Sequence, residues 1–162
     1  MMEIVPIFDN RLYSLRVEGE SKDELSRLLE LWDDTEYLYD FYENNKKYFE
    51  DDYFTVKKNK YEYTELDFLD DVIYNLEKLE EELLRVKETP DVSLNDFFID
   101  LSEKKPKCKI YELYKKKRNI LRLYAIKIDD DLFLIIGGAI KIVRKMNDHP
   151  HTKQALFLLN YY

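Results

Sequence analysis

The first twenty residues contain two short apolar-rich runs with a polar break between them. The runs are Glu3–Phe8 and Leu12–Val17, and Asp9-Asn10-Arg11 separates them. Asp and Asn favour tight turns, whereas the flanking runs have the length and composition of strands. The pattern therefore predicts a β-hairpin at residues 1–20.

A helical pattern begins after the hairpin. Ser21 and Glu24 have the spacing of a capping box, in which a hydroxyl and a carboxylate satisfy free amide donors of the first turn. Apolar residues then recur at helical steps, and Asp33–Thr35 interrupts them before they resume toward Lys47. We expect a helix that starts at this box and is broken or bent at Asp33–Thr35. Residues 50–63 have no clear period and are expected to form a connector.

The strongest periodic segment runs from about Glu65 to Lys87, where apolar residues recur at steps of three and four. These positions are Leu69, Val72, Ile73, Leu76, Leu79, Leu83 and Val86. The segment predicts an amphipathic helix that ends at Thr89-Pro90. Its glutamates form either an acidic surface for a partner or an ordinary solvated flank. Ser93 is expected to cap a further short helix through Leu101.

After residue 108 the pattern changes from helical to strand-like. Three apolar-rich runs, Lys109–Tyr114, Ile120–Ile128 and Leu132–Ile136, are divided by short polar segments, which predicts an antiparallel meander. Both alternating faces of the middle run are largely apolar, so it is expected to be the central strand. A last helix, capped by Asp148 or Thr152, is expected to follow.

These elements predict an α+β fold in a single domain. The N-terminal β-hairpin occupies residues 1–20, an acidic helical region residues 21–102, and a basic β-meander with a C-terminal helix residues 103–162. The chain has 162 residues, of which 45% are apolar, and only three Gly and four Pro. This composition is typical of a globular protein with a real core and argues against disordered or collagen-like classes.

Charge is distributed unevenly along the chain, whose net charge is −8. Residues 1–102 contain 12 Lys and Arg against 28 Asp and Glu, whereas residues 103–162 contain 14 against 6. The basic part either forms a face that binds a polyanion or is neutralised by the acidic part across a packed boundary. The sequence leaves both interpretations open.

Several classes of protein lose support from what the sequence lacks. The single cysteine, Cys108, cannot form an intrachain disulfide or a multi-thiolate metal site. The sequence has no secretory signal and no apolar run of the roughly 18 residues that a membrane helix needs, so we expect a cytoplasmic protein without a membrane partner. Phosphate-binding loops, dinucleotide-binding turns and zinc-protease motifs are missing, and His149-Pro150-His151 has no further ligands in an obvious spacing. We expect no metal and no cofactor.

Cations concentrate at two places in the basic part. Gly137-Gly138 directly precedes a stretch that contains Lys141, Arg144 and Lys145, and Lys115–Arg118 forms a second basic cluster at a predicted turn. Arg122 lies on the adjacent predicted strand beside Tyr124. Cations of this kind either contact phosphates, with tyrosines stacking on bases of single-stranded RNA, or are ordinary solvated side chains. The candidate nucleic-acid-binding residues are Lys115, Lys116, Lys117, Arg118 and Lys145.

The C-terminal part resembles the toxins of the RelE/ParE superfamily of bacterial toxin–antitoxin systems over about residues 103–160. The resemblance depends on Tyr111–Tyr114, on Arg118–Ile126, and on Leu134–Lys141 with the basic stretch that follows. Together they look like an arginine-bearing strand, an apolar strand and an exit with glycine and lysine. The whole chain also resembles an uncharacterised bacterial family with the same C-terminal signature.

The resemblance implies a RelE-like core with an enlarged helical region. It also implies a toxin that is neutralised by a cognate antitoxin, a small DNA-binding protein being one candidate. The implied activity is ribosome-dependent mRNA cleavage or inhibition of gyrase. Lys141 and Arg144 would stabilise phosphorane charge, Arg122 would orient phosphate, and Tyr124 or His149 would move protons. The alternative is a non-catalytic module whose acidic helices and basic sheet bind protein partners.

Overall fold

A computed structural model describes residues 2–8, 10–50, 63–100, 110–113 and 120–142. The predicted helix beyond residue 147 and most of the predicted connector, residues 51–62, lie outside these ranges. In chain order the elements are β1 (Glu3–Phe8), β2 (Leu12–Arg16), α1 (Glu24–Trp32), α2 (Thr35–Asn44), α3 (Lys46–Phe49), α4 (Glu65–Glu88), a 3-10 helix (Leu94–Asp96), β3 (Phe98–Asp100), β4 (Ile110–Leu113), β5 (Leu121–Asp129) and β6 (Leu132–Ile140).

All six described strands form one sheet with the order β1-β2-β6-β5-β4-β3. The predicted hairpin is confirmed as β1 and β2, and the predicted meander is confirmed as β4, β5 and β6 in antiparallel pairs. Strand β5 lies between β4 and β6, which confirms its central place. The helices and this mixed sheet confirm the α+β class.

The hairpin joins the meander through a parallel pairing that the sequence pattern does not reveal. Leu12 pairs with Phe133 and Ser14 with Ile135, and the Phe133 amide donates to the Arg11 carbonyl at 2.9 Å. Parallel neighbours need a long crossover, and here the helices together with strands β3, β4 and β5 form the connection. Strand β6 therefore lies between β2 of the hairpin and β5 of the meander.

Aspartate side chains define where the first two helices begin. Helix α1 is capped by Asp23, whose carboxylate accepts from the Ser26 amide at 3.1 Å. The prediction that Ser21 starts this helix is therefore wrong by two residues, because Asp23 satisfies the free amides instead. The predicted break at Asp33–Thr35 is confirmed, since α1 ends at Trp32 and Asp34 caps α2.

The segment after α4 contains less helix than its sequence predicts. Ser93 does cap a helical turn, but only a 3-10 turn over Leu94–Asp96, and Phe98–Asp100 then forms strand β3. Phe98 pairs with Leu113 of β4. The apolar residues whose pattern is typical of a helix thus pair with β4, a strand further along the chain. Strand pairing of this kind overrides local propensity.

The helices pack on one face of the sheet around a single apolar core. Phe68 of α4 is completely buried at its centre. Its ring centroid lies 5.0 Å from that of Phe49 and 5.9 Å from those of Phe41 and Tyr42. Phe49 also stacks on Tyr63 with their centroids 5.7 Å apart. Aromatic contacts therefore join α2, α3 and α4 into one unit above the sheet.

The opposite face of the sheet carries a second, smaller cluster of buried side chains. It consists of Leu15, Tyr124, Ile136 and Ala139. Residues 121, 123 and 125 of β5 belong instead to the helix-side core. Both faces of the central strand are thus covered, as its sequence predicts.

Strand β6 continues through the glycine pair that was expected to form its exit. Gly138 pairs with Leu123 and Gly137 with Tyr124, and a register shift leaves Ile136 as an extra residue. Neither glycine has a positive φ angle. Gly138 is instead required for close packing, because a Cβ atom there would lie 2.5 Å from the Arg122 carbonyl oxygen.

Arg11 connects the hairpin turn to two distant loops. Its Nε donates to the Asp131 carboxylate at 2.9 Å, and its Nη1 donates to the Val86 carbonyl at 3.1 Å. Its Nη2 donates to the Val92 carbonyl. Asp131 also accepts from the Leu94 amide at 2.5 Å. One guanidinium and one carboxylate thus join the β1–β2 turn, the β5–β6 turn and the end of α4.

Candidate functional site

Arg122 lies in the middle of the sheet and has no exposed surface. It pairs with Ala139 of β6, on the face of the sheet opposite the helices. A guanidinium remains charged in proteins, so burying one requires hydrogen-bonding or ionic partners. Its Nη1 donates to the Leu121 carbonyl at 3.1 Å. An external phosphate does not reach Arg122 in this conformation.

Tyr124 follows Arg122 on the same face of β5 and is also fully buried. It pairs with Gly137, beside the register shift in β6, and packs with Leu15, Ile136 and Ala139. Its ring is therefore part of the core on this face. Stacking on a nucleic-acid base would require that face to open.

Lys141 follows directly after β6 and is half buried. Its amide donates to the Ile120 carbonyl at 2.7 Å, which continues the ladder between β5 and β6 by one residue. Ile140 and Ile142 on either side are both buried in the helix-side core. The backbone of Lys141 is thus held firmly, while its side chain retains access to solvent.

The structure brings three of the predicted site residues to one region. Because Arg122 pairs with Ala139, Lys141 is two residues further along the neighbouring strand. Strand spacing and rise place their Cα atoms roughly 8 Å apart. Tyr124 is two residues from Arg122 in the other direction along β5. The other predicted residues, Arg144, His149, Lys115, Lys116, Lys117, Arg118 and Lys145, lie outside the described residues.

Asn75 supports this region and is not among the site residues that the sequence predicts. Its side-chain oxygen accepts from the Ile120 amide at 3.2 Å, and its amide nitrogen donates to the Asp71 carbonyl. Helix α4 is thereby tied to Ile120, whose carbonyl holds Lys141. A signal was present in the sequence, because Asn75 is a polar residue beside Val72 and Leu76 on the apolar side of the helix.

We expect Asn75→Ala to lower the free energy of unfolding by about 1–2 kcal/mol, because the Ile120 amide would lose its acceptor in a buried place. Chemical denaturation measures the loss. Amide hydrogen exchange at Ile120 and Lys141 should accelerate in the variant. Glu77→Ala, on the exposed side of the same helix, is the matched control and should change stability by less than about 0.5 kcal/mol. Equal effects of the two substitutions would contradict this role.

Metal and membrane sites find no support in the described ranges. Within them, no three His, Cys, Asp or Glu side chains are grouped so that they could hold a metal ion. No helix in the same ranges combines the length and the apolar content needed to cross a bilayer.

Comparisons with known proteins identify no relative of this chain. No protein-family model matches the chain, and neither a curated protein nor a solved structure is significantly similar to it.

Proposed function

We propose that this protein is a toxin of the RelE/ParE type that inhibits translation by cleaving mRNA. The observation that carries the proposal is the position of Arg122 and Lys141 on two hydrogen-bonded strands at the centre of the sheet. The order of elements in the described ranges also fits: a strand unit, helices, and then a meander with a lysine at its end.

Arg122 and Tyr124 are buried, so the candidate residues have different roles in the proposed site. Lys141 has a half-buried side chain, so its ammonium, unlike the buried guanidinium of Arg122, can contact a phosphate oxygen. Arg122 acts as a positioning residue whose buried charge lies beside that contact. Because Tyr124 is fully buried, His149 is the proposed proton carrier, and Arg144 is the second cation.

The proposed reaction uses the RNA's own 2′-hydroxyl as nucleophile. The hydroxyl oxygen attacks the adjacent phosphorus and gives its proton to a base, while the bond from phosphorus to the 5′-oxygen breaks. Cations such as Lys141 stabilise the extra negative charge on the phosphoryl oxygens. An acid protonates the departing 5′-oxygen, which leaves a cyclic phosphate on one fragment and a free hydroxyl on the other. No external co-reactant is needed.

Induced expression in bacterial cells tests this activity. We expect growth arrest together with new 5′ ends in cellular transcripts, mapped by primer extension. Lys141→Ala combined with Arg144→Ala should restore growth and remove the new ends. Lys87→Ala is the control, because Lys87 is an exposed lysine at the end of α4, far along the chain from the site. This control should leave both effects unchanged.

Two results would contradict the proposal. Normal growth with intact transcripts, while soluble folded protein accumulates, would exclude a toxic nuclease. Growth arrest with DNA damage and intact transcripts would point to gyrase instead.

A second candidate function is a non-catalytic interaction module, and the full burial of Arg122 and Tyr124 favours it. Such a module would bind a cognate protein, such as a small neighbouring-gene product, without cutting RNA in either state. Co-purification with that product, combined with intact transcripts in the assay above, would distinguish it from the toxin.

A further inference from the structure

Helix α4 leaves a row of apolar side chains on the side that faces away from the core. Leu66, Ile73 and Leu84 have 67%, 50% and 52% of their surface exposed. They are separated by seven and eleven residues, and both intervals return to nearly the same side of an α-helix. Ile73 is predicted by periodicity to face the core with Val72, but only Val72 is buried. This row does not contribute to the described core.

Carboxylates lie between these apolar residues and beside them, on the same side of α4. Asp70 and Glu77 each follow an apolar member by four residues, and Glu81 precedes Leu84 by three. Residues at these intervals are neighbours on a helix surface. All of these acidic side chains are exposed, and Glu81 forms an ion pair with the Lys78 ammonium of the same helix at 3.3 Å. We use the name α4 stripe for the set Leu66, Asp70, Ile73, Glu77, Glu80, Glu81 and Leu84.

We propose that the α4 stripe binds an amphipathic helix of a partner protein whose apolar residues are flanked by lysine or arginine. Leu66 and Ile73 have the seven-residue interval that helix recognition uses, and Leu84 extends the same side of α4. The carboxylates beside them complement cations at the edges of such a helix and disfavour partners of the opposite pattern.

Charge argues against the two other occupants of such a surface. A second copy that used its own α4 would bring the same carboxylates against each other, and like charges in an interface are costly. Nucleic acid would be repelled for the same reason. The interaction is independent of the proposed RNA cleavage, because no residue of the α4 stripe takes part in that reaction.

The test uses the full chain and two synthetic helical peptides, each about three heptads long, with leucine at the two core positions of every heptad. One peptide carries lysine at its other positions and the second carries glutamate. Fluorescence anisotropy should show binding of the lysine peptide only. Leu66→Ser, Ile73→Ser and Leu84→Ser combined should weaken binding at least tenfold, and Glu77→Gln, Glu80→Gln and Glu81→Gln combined should do the same.

Matched variants elsewhere on the surface separate a specific stripe from general stickiness and charge. Met2→Ser, Ile4→Ser and Ile128→Ser remove three exposed apolar side chains outside α4. Glu20→Gln, Glu36→Gln and Asp40→Asn remove three exposed carboxylates outside α4. Each control set should change the affinity less than twofold. Circular dichroism confirms that every variant is folded.

Three outcomes would overturn the proposal. The first is failure of the lysine peptide to bind, or equal binding of both peptides. The second is an equal loss of affinity in the stripe variants and their controls. The third is a dimer in sedimentation equilibrium that the apolar stripe variant dissociates, which would make a second copy the occupant.

Discussion

Replacing Gly138 by alanine is expected to lower the free energy of unfolding by roughly 2–3 kcal/mol, in the upper part of the range of about 1–3 kcal/mol that is typical of overpacking a core. The added Cβ would lie 2.5 Å from the Arg122 carbonyl oxygen, 2.8 Å from Leu28 Cδ1 and 3.2 Å from Trp32 Cη2. The nearest of these is backbone, which cannot rotate away as a flexible side chain can. Helix α1 must therefore move off the sheet, or β5 must shift. Thermal unfolding should show a drop of about 5–10 °C for a chain of this size.

Gly137→Ala is the matched control, because Gly137 is the preceding residue of the same strand. Its added Cβ would meet nothing within 4 Å, and its φ angle is not positive. We expect no loss and a gain of up to about 0.5–1 kcal/mol, since alanine restricts the unfolded chain. A similar loss of stability in both variants would mean that the two glycines are needed for their backbone conformation and not for the close approach of α1.

Replacing Asp131 by asparagine is expected to cost roughly 2 kcal/mol, because a partly buried Arg11 would lose its ionic partner. The two side chains are only 12% and 30% exposed and are joined at 2.9 Å. Asparagine keeps a side-chain oxygen for the Leu94 amide and tolerates the positive φ angle of 55° at this position. The loss of stability therefore measures the contribution of the Asp131 charge and not that of the turn conformation. Urea unfolding at neutral pH measures it.

The same carboxylate predicts a pH dependence of stability. Burial raises the pKa of Asp131, but hydrogen bonds from the Leu94 amide, Arg11 and Ser93, together with the charge of Arg11, hold the pKa below its ordinary value. A lowered pKa gives stability that is present above the ordinary value and is lost as the pH falls through the folded-state pKa. The stability difference between the natural chain and Asp131→Asn should thus shrink as the pH falls below the ordinary aspartate pKa of about 4.

Asp130→Asn provides the control for both measurements. The Asp130 carboxylate lies 3.8 Å from the Lys127 ammonium and accepts from the Asn95 side-chain amide at 3.0 Å, and the Asp130 side chain is 87% exposed. Pairs of this kind contribute little, so we expect a change of less than about 0.5 kcal/mol. A difference that persists at low pH, or an equal cost at Asp130, would contradict the role assigned to Asp131.

Local signals predicted those elements that depend on neighbouring residues. The hairpin, the break at Asp33–Thr35, the long helix α4 and the meander were all predicted, since caps, turns and apolar periods act over a few residues. Strand β3 was missed because Phe98 and its neighbours become a strand only when β4 pairs with them. The start of α1 was misplaced because both Ser21 and Asp23 are good caps, and tertiary packing selects between them.

The candidate site was predicted less completely than the fold. Arg122, Tyr124 and Lys141 could be selected from their residue types, but their accessibility could not. The alternating pattern of β5 predicts that both of its faces are covered. A side chain on a covered face is expected to be buried, so this pattern favours the observed burial of Arg122 over a contact with phosphate. Asn75 was overlooked because its partner, Ile120, is 45 residues away in the chain.

What the sequence by itself determined is the kind and approximate extent of each element, together with the opposite charges of the two parts of the chain. Only the tertiary structure decided that β2 lies parallel beside β6 and that Gly138 allows the close approach of helix α1. It also decided that Arg122 is buried while Leu66 and Ile73 are exposed. The physical reason is distance along the chain. Periodicity and capping act between near neighbours, whereas burial and strand pairing depend on contacts between residues far apart.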